Sequence, residues 1–163
     1  MSTDPPAQSL RCAGALIVDD DGRIFVQRRS PDRRLFPNSW DIVGGHVRAG
    51  ETLEAALRRE ITEETGWTLF QILATVGEYA YTGNDGLARI ETDYLVRVDG
   101  DLSRPRLEAG KHSDPRWLTE ADTALLDDPP DVNDGLIRRI VEDGFAVIRR
   151  ISGTGPTEGD DRR

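Results

Sequence analysis

Cysteine is nearly absent: Cys12 stands alone in 163 residues. A single thiol cannot close an internal disulfide, so the chain is not a stapled secreted scaffold and suits a reducing cytoplasm. Long apolar runs are missing too. Purely apolar stretches extend only a few residues, far short of the ~20 that span a bilayer. The opening Met1-Ser2-Thr3-Asp4-Pro5-Pro6 has no basic region followed by an apolar stretch, so no secretory leader is expected and a cytoplasmic location is. Lysine is scarce as well: of 21 basic residues only Lys111 is lysine, a bias that a GC-rich genome explains without function. Positive charge as a whole is outnumbered, and the formal net charge is −9. Such a chain has no long-range attraction for nucleic-acid phosphates or anionic lipid, so neither nucleic acid nor a membrane is an expected partner. Any polyanion it binds must be held locally, by metal or clustered arginine.

What remains is the size and composition of one globular domain with a real core. Residues 1–9 and 152–163 are polar and read as disordered segments flanking a domain over 10–151. Ala13–Val18 and Ile24–Arg29 are apolar runs separated by Asp19-Asp20-Asp21-Gly22, which predicts a hairpin. Trp40–Val43 predicts a strand stopped by Gly44-Gly45. Leu69–Tyr81 and Leu87–Val98 predict a second hairpin, and Arg116–Leu118 a short strand. Helices are expected over Thr52–Thr65, ended by Gly66, and over Val132–Asp143 with Asp131 as N-cap. Strands outnumber helices and come mostly as hairpins, which defines an α+β class with helices flanking a mixed sheet.

The informative segment runs from Gly45 to Trp67. With Leu53 at the origin of a helical wheel, Leu57, Ile61 and Ala56 fall at about 40°, 80° and 300° and mark the core-facing stripe. Glu60, Glu64 and Glu63 fall at about 340°, 20° and 280°, on or beside that stripe. A helix rich in Glu and Arg ordinarily shows a solvated face, and Arg59–Glu63 and Glu54–Arg58 have the spacing of surface pairs. A solvated face should lie opposite the stripe, however, and Glu60 and Glu64 lie inside it. Converging carboxylates repel and lose hydration, so either their pKa values rise or a cation neutralises them. A hard divalent ion, Mg²⁺ or Mn²⁺, is the economical cation for oxygen ligands.

The same residues carry a resemblance. Gly45 and Glu51 are separated by five residues, Glu51 and Arg59-Glu60 by seven, and Ile61, Glu63-Glu64, Gly66 and Trp67 follow. This run resembles the box of the Nudix hydrolases, G-x5-E-x7-R-E-U-x-E-E-x-G-U with U a bulky apolar residue, at every fixed position. The resemblance implies an α/β/α sandwich. It also implies Mg²⁺- or Mn²⁺-dependent hydrolysis of a pyrophosphate bond in a nucleoside diphosphate derivative, by water attack on phosphorus. Carried over by position, Glu60, Glu63 and Glu64 would bind metal, Gly45 would offer its carbonyl, and Glu51 would act through water. Arg59 would orient a glutamate of the box, and Glu60, Glu63 and Arg59 would be the catalytic set. Many members add an acidic residue from a late loop, for which Glu108 and Asp114, and less so His112, are candidates. The box reads the pyrophosphate and not the attached group. Damaged nucleoside triphosphates, ADP-ribose, nucleotide sugars and dinucleoside polyphosphates all stay open, with a lean to a small nucleotide. A homodimer is compatible by family analogy alone.

Outside the box, Arg28, Arg29, Arg33 and Arg34 form a basic cluster in an acidic chain. Arg28 and Arg29, at a strand end, are the expected phosphate contacts, and His46, next to the box glycine, is a further candidate. Phe36, Trp40, Tyr79, Tyr81 and Trp117 are candidates for base stacking, though Trp40 and Trp117 suit a core better. Cys12 reads as a small buried hydrophobe. Two other functions fit the same fold. One is an isomerase of the isopentenyl-diphosphate type, which would want a cysteine beside the metal site, and Cys12 is expected to lie away from it. The other is a non-catalytic nucleotide-sensing module, which would have no need of an intact box.

Overall fold

The computed structural model describes residues 9–127 and 135–153. In chain order the elements are β1 (Leu10–Ile17), β2 (Ile24–Arg29), β3 (Trp40–Asp41), β4 (Val43–His46), α1 (Leu53–Thr65), β5 (Thr68–Thr82), β6 (Ala88–Asp99), β7 (His112–Leu118), a 3₁₀ segment (Glu120–Asp127) and α2 (Leu136–Gly153). One sheet has the order β4-β1-β6-β5 and the other β3-β2-β7. β1 runs parallel to β6 and antiparallel to β4, so the larger sheet is mixed.

Two cores lie on its faces. Ala13, Ala15 and Ile17 of β1 pack with Ala56, Leu57 and Ile61 of α1 and with Phe25, Trp67 and Val96. Leu16 and Val18 turn the other way, toward Ile140, Val141 and Phe145 of α2. Alternate side chains of a strand point to opposite faces, so a strand covered by a helix on each side reads as one continuous apolar run. That gives the α/β/α sandwich. Phe25 meets the Trp67 and Trp117 rings with centroids at 5.1 and 5.3 Å, which fills the α1 side with aromatic surface.

Several expectations shift. The Asp19–Gly22 turn forms, with Asp19 Oδ1 accepting the Asp21 and Arg23 N–H groups at 3.0 and 2.8 Å. β1 and β2 share only the Val18–Ile24 bridge, however, and then diverge into different sheets. The glycine pair does not stop the strand after Trp40; Gly44 and Gly45 lie inside β4, and the break falls at Ile42. The second hairpin forms as β5–β6, with three bulges along it. The last helix starts at Leu136 and continues to Gly153, ten residues past its expected end. Its proposed cap, Asp131, lies outside the described residues, as do residues 1–8 and 154–163. No helix among the described residues is long and apolar enough to cross a membrane.

Candidate active site

α1 is held at both ends by local chemistry. Thr52 caps its start, the Oγ1 accepting the Ala55 N–H at 3.1 Å. Gly66 ends it at φ 76°, in the left-handed region that glycine enters without penalty. Between them the apolar stripe seats α1 on β1 and β4, and this brings the glutamates against the Gly44-Gly45 backbone.

Glu64 is buried, at 3% exposure. Its Oε2 accepts the Gly44 N–H at 2.8 Å and its Oε1 accepts from Gln27 Nε2 at 3.2 Å. His112 Nε2 stands 3.4 Å from the same Oε1. Burial, then the charges of Glu60 and Asp41, push the Glu64 carboxyl well above the ordinary carboxylate range, against the opposing Gly44 N–H. Glu60 is half-buried and its carboxyl is raised by burial, with Arg59 opposing. Its Oε1 lies 2.5 Å from where a Cβ on Gly45 would sit, so only glycine lets the carboxylate reach this backbone.

Arg59 bridges the rest. Its Nε and Nη2 donate to the two oxygens of Glu51 at 2.8 and 2.9 Å, and its Nη1 donates to Glu60 at 2.7 Å and to Glu63 at 3.3 Å. Nη2 also donates to the His46 carbonyl at 3.0 Å, which ties the helix to the end of β4. This fork holds the Glu51 carboxyl down at about 2. Glu63 does not turn inward with its neighbours; it is exposed, with Arg48 Nη2 3.8 Å from its other oxygen. Among the described residues no group of three or more His, Cys, Asp and Glu side chains stands at metal-holding spacing. The inward pair is Glu60 and Glu64; the Arg59 guanidinium reaches Glu60 but makes no hydrogen bond to Glu64.

Of the late candidates, Glu108 and His112 reach the site and Asp114 does not. Glu108 adds a negative charge felt by Glu60 and Glu64. His112 is buried, and desolvation followed by the nearby Arg29 charge lowers its imidazole to about 3, so it is neutral. Asp114 pairs with Arg116 at 2.9 Å.

Beside the glutamates a cavity of about 140 Å³ opens on the α2 face of the larger sheet, lined by Gly44, Gly45 and His46 at one end and by Arg29, Arg33, Phe36 and Glu91 among others. Arg29 is in its wall and donates to Asp41 Oδ2 at 3.2 Å. Arg28 is not in that wall: it donates to the Asn38 carbonyl at 2.9 Å, and its guanidinium lies 5.4 Å from the Trp40 ring centroid. Arg33, named in the basic cluster but ranked behind Arg28 and Arg29, lines the cavity with a buried Nη1 that has no hydrogen-bond partner among the described residues. His46 is in the wall and accepts from Arg89 Nε at 3.1 Å; burial and the Arg89 charge lower its pKa. Phe36, Trp40 and Tyr81 line the cavity, whereas Tyr79 donates to Asp143 at 2.7 Å and Trp117 packs in the aromatic core. Cys12 is buried as expected, yet it lies in the cavity wall and pairs with His46 in the β1–β4 register. Burial pushes its thiol up to about 12.

Fold and site together define an α/β/α sandwich whose acidic helix docks on a strand-borne glycine pair. The model of the NUDIX domain matches residues 9–140, and the chain belongs to the Nudix family. It is 43% identical over 67 residues to a Nudix hydrolase of Deinococcus radiodurans, covering 39% of each chain. It is 46% identical over 50 residues to the nucleoside triphosphatase NudI of Escherichia coli, covering 31% of this chain and 36% of that one. The matched stretches span between 36% and 63% of these and similar curated relatives. The crystal structure of a MutT NUDIX hydrolase from Burkholderia pseudomallei superposes with a TM-score of 0.66 at 26% identity, over 84% of this chain and 98% of that one.

Proposed function

We propose that this chain hydrolyses a pyrophosphate bond in a nucleoside diphosphate derivative, by attack of water on phosphorus assisted by Mg²⁺ or Mn²⁺. The observation that carries the reading is the inward pair Glu60 and Glu64. Burial raises both carboxyls at the edge of a cavity that also presents arginine. The donor set fits a hard dication, because every donor is oxygen and Glu64 is buried without a cationic side chain bonded to it, while Glu60 shares the one guanidinium of Arg59 with Glu51 and Glu63. Glu60 and Glu64 would be the inner ligands, with the Gly45 carbonyl, Glu63 and Glu51 completing the set. A bound dication screens phosphate charge, polarises a phosphoryl oxygen and lowers the pKa of water.

The chain's own residues do the rest. Arg59 orients Glu60 and Glu63 through two of its hydrogen bonds while its fork on Glu51 fixes the guanidinium. Glu63, exposed and oriented by Arg59 at 3.3 Å, would accept the proton of the attacking water where it is not itself held tightly by the metal. Arg29 and Arg33 supply positive charge for phosphate oxygens in the cavity, which an acidic protein needs because its global field repels the substrate. His46, neutral, lines the entrance to the glutamates and can donate to a phosphate oxygen. The relatives named as a hydrolase and as a nucleoside triphosphatase support this reading. The lean to a small nucleotide comes from the short chain, and a cavity of about 140 Å³ supports it.

The test is a panel of nucleotides with Mg²⁺ or Mn²⁺, with products weighed to locate the broken bond. Metal-dependent cleavage of a pyrophosphate linkage is expected, and Glu64→Gln should lower kcat by about 10²-fold or more. Near-wild-type turnover by Glu64→Gln would overturn the site assignment.

A further inference from the structure

The hydrolytic reading leaves one group unexplained. Asp93 of β6 is 0% exposed, and neither of its carboxyl oxygens accepts from an N–H or hydroxyl group among the described residues; the group beside it is the carboxyl of Glu91. It faces the α2 side of the sheet, two residues from Glu91 on the same strand face. The chain makes room for it: Gly14 is its register partner on β1, and a Cβ there would collide with Asp93 Oδ1. A core carboxyl without an N–H or hydroxyl donor is costly, and an aliphatic side chain would pack there at no such cost. Its nearest use is Glu91, which lines the cavity and lies 3.5 Å from the Tyr81 hydroxyl. Burial raises both carboxyls, Glu91 to about 7, so the pair retains a proton near neutrality. A carboxyl and a carboxylate sharing one proton present a donor and an acceptor side by side.

The cavity around Glu91 suits one planar ring. Its volume, about 140 Å³, matches the ~150 Å³ that accommodates a single aromatic ring in an engineered core. Phe36, Trp40, Tyr81, Leu136 and Ile137 supply its apolar surface. Phe36 is held there at φ 47°, a region few non-glycine residues occupy. Asn84 of the β5–β6 turn braces that loop, accepting the Phe36 N–H at 3.4 Å and donating to the Arg34 carbonyl at 2.8 Å. At its other end the cavity reaches Gly44 and Gly45, the backbone on which Glu64 and Glu60 rest. A molecule with phosphates at the glutamates and a ring in the cavity spans both.

We propose that Glu91 is the specificity-determining residue for the substrate's nucleobase, hydrogen-bonding its donor–acceptor edge, and that Asp93 is the positioning residue behind it. The proposal rests on the hydrolytic reading only for the identity of what lies at the glutamates. It excludes a cavity filled by a sugar or an aliphatic chain.

The test separates the two readings by using binding without metal. The four nucleoside monophosphates and ribose 5-phosphate are titrated into the full chain in EDTA by calorimetry. The wild type should bind one base at least about tenfold more tightly than the worst, and ribose 5-phosphate more weakly than any nucleotide. Glu91→Leu, which presents neither donor nor acceptor, should compress the preference among bases to about twofold. Asp93→Asn should do the same while melting at or above the wild-type temperature, and Glu91→Asp should restore part of the preference. Equal binding of all four bases, ribose 5-phosphate binding as well as the nucleotides, or an unchanged preference in Glu91→Leu would each overturn the proposal. A misfolded Glu91→Leu passes the decision to Asp93→Asn and Glu91→Asp. A chain that discriminates bases yet cleaves nothing with Mg²⁺ sinks the hydrolytic reading and leaves this one standing. One that cleaves all nucleotides alike does the reverse.

Discussion

At the scale of the residue, the site is a set of carboxyls at unequal cost. Glu51 lies in a fork of Arg59 and is held low, whereas Glu64 is buried against one N–H, one amide and a neutral imidazole. Glu64→Gln removes an uncompensated charge and keeps an oxygen for Gly44. In EDTA at pH 8 the variant should therefore melt above the wild type, by roughly 1–3 kcal/mol in unfolding free energy. Scanning calorimetry decides it: a lower melting temperature would mean that the carboxylate is already compensated. Gly45→Ala tests the same place from the strand. Its Cβ would press on Glu60 at 2.5 Å, so the glutamate must move. Turnover should fall by about 10²-fold, with a stability loss of only about 1–3 kcal/mol; stopped assays beside urea melts separate the two. The box residues were legible because their spacing is fixed by a helix. Arg59's role as internal cation was not, because side-chain reach across to Glu51 is not a property of periodicity.

At the scale of the element, α1 owes its register to its ends. Thr52→Ala leaves the Ala55 N–H without its cap and should cost about 1 kcal/mol. Gly66→Ala forces a side chain to φ 76° and should cost a similar ~1 kcal/mol. Both should shift the urea midpoint and leave the m-value unchanged; a change in m would show that the helix end unfolds separately. The caps of α1 were readable in advance because they are local. Strand partners were not. The apolar run Ala13–Val18 correctly announced a strand, and the Asp19–Gly22 turn correctly announced a reversal. Yet β1 is buried on both faces and pairs with β4 and β6, so local turn chemistry lost to burial. The same ignorance hid Glu91 and Asp93. In a hairpin their alternation with Ile90 and Thr92 reads as a solvent face, and only the central place of β6, between β1 and β5, buries Asp93 and half-buries Glu91.

At the scale of the whole molecule, these buried acids set how stability depends on pH. Glu51, Asp85, Asp101 and Asp122 have lowered carboxyls, so the stability they add is present above the unfolded carboxylate range and is lost only as pH falls. The lowered imidazoles of His46 and His112 likewise add stability that approaches completion above about pH 6.5. Asp41, Glu60, Glu64, Glu91 and Asp93 act in the opposite sense: raised in the folded state, they contribute stability at low pH that is lost as pH climbs through their folded values. Between pH 6.5 and 8 the histidines add only the last increment of their stability and Cys12 keeps nearly all of its proton in either state, so the raised carboxyls dominate the slope. The metal-free chain should therefore become less stable over that interval, whereas a chain of ordinary surface acids would stay level. Glu91, at about 7, titrates inside it, and Glu91→Gln should remove roughly 1 kcal/mol of the decline. Urea unfolding at a series of pH values in EDTA measures both slopes. If the wild-type curve is flat or rises from pH 6.5 to 8, the acids of the α2 face already have fixed partners. Added Mg²⁺ should lessen the decline in the Glu91→Gln variant as well as in the wild type, because the dication is taken up by the glutamates of α1 and not by the carboxyl pair on β6.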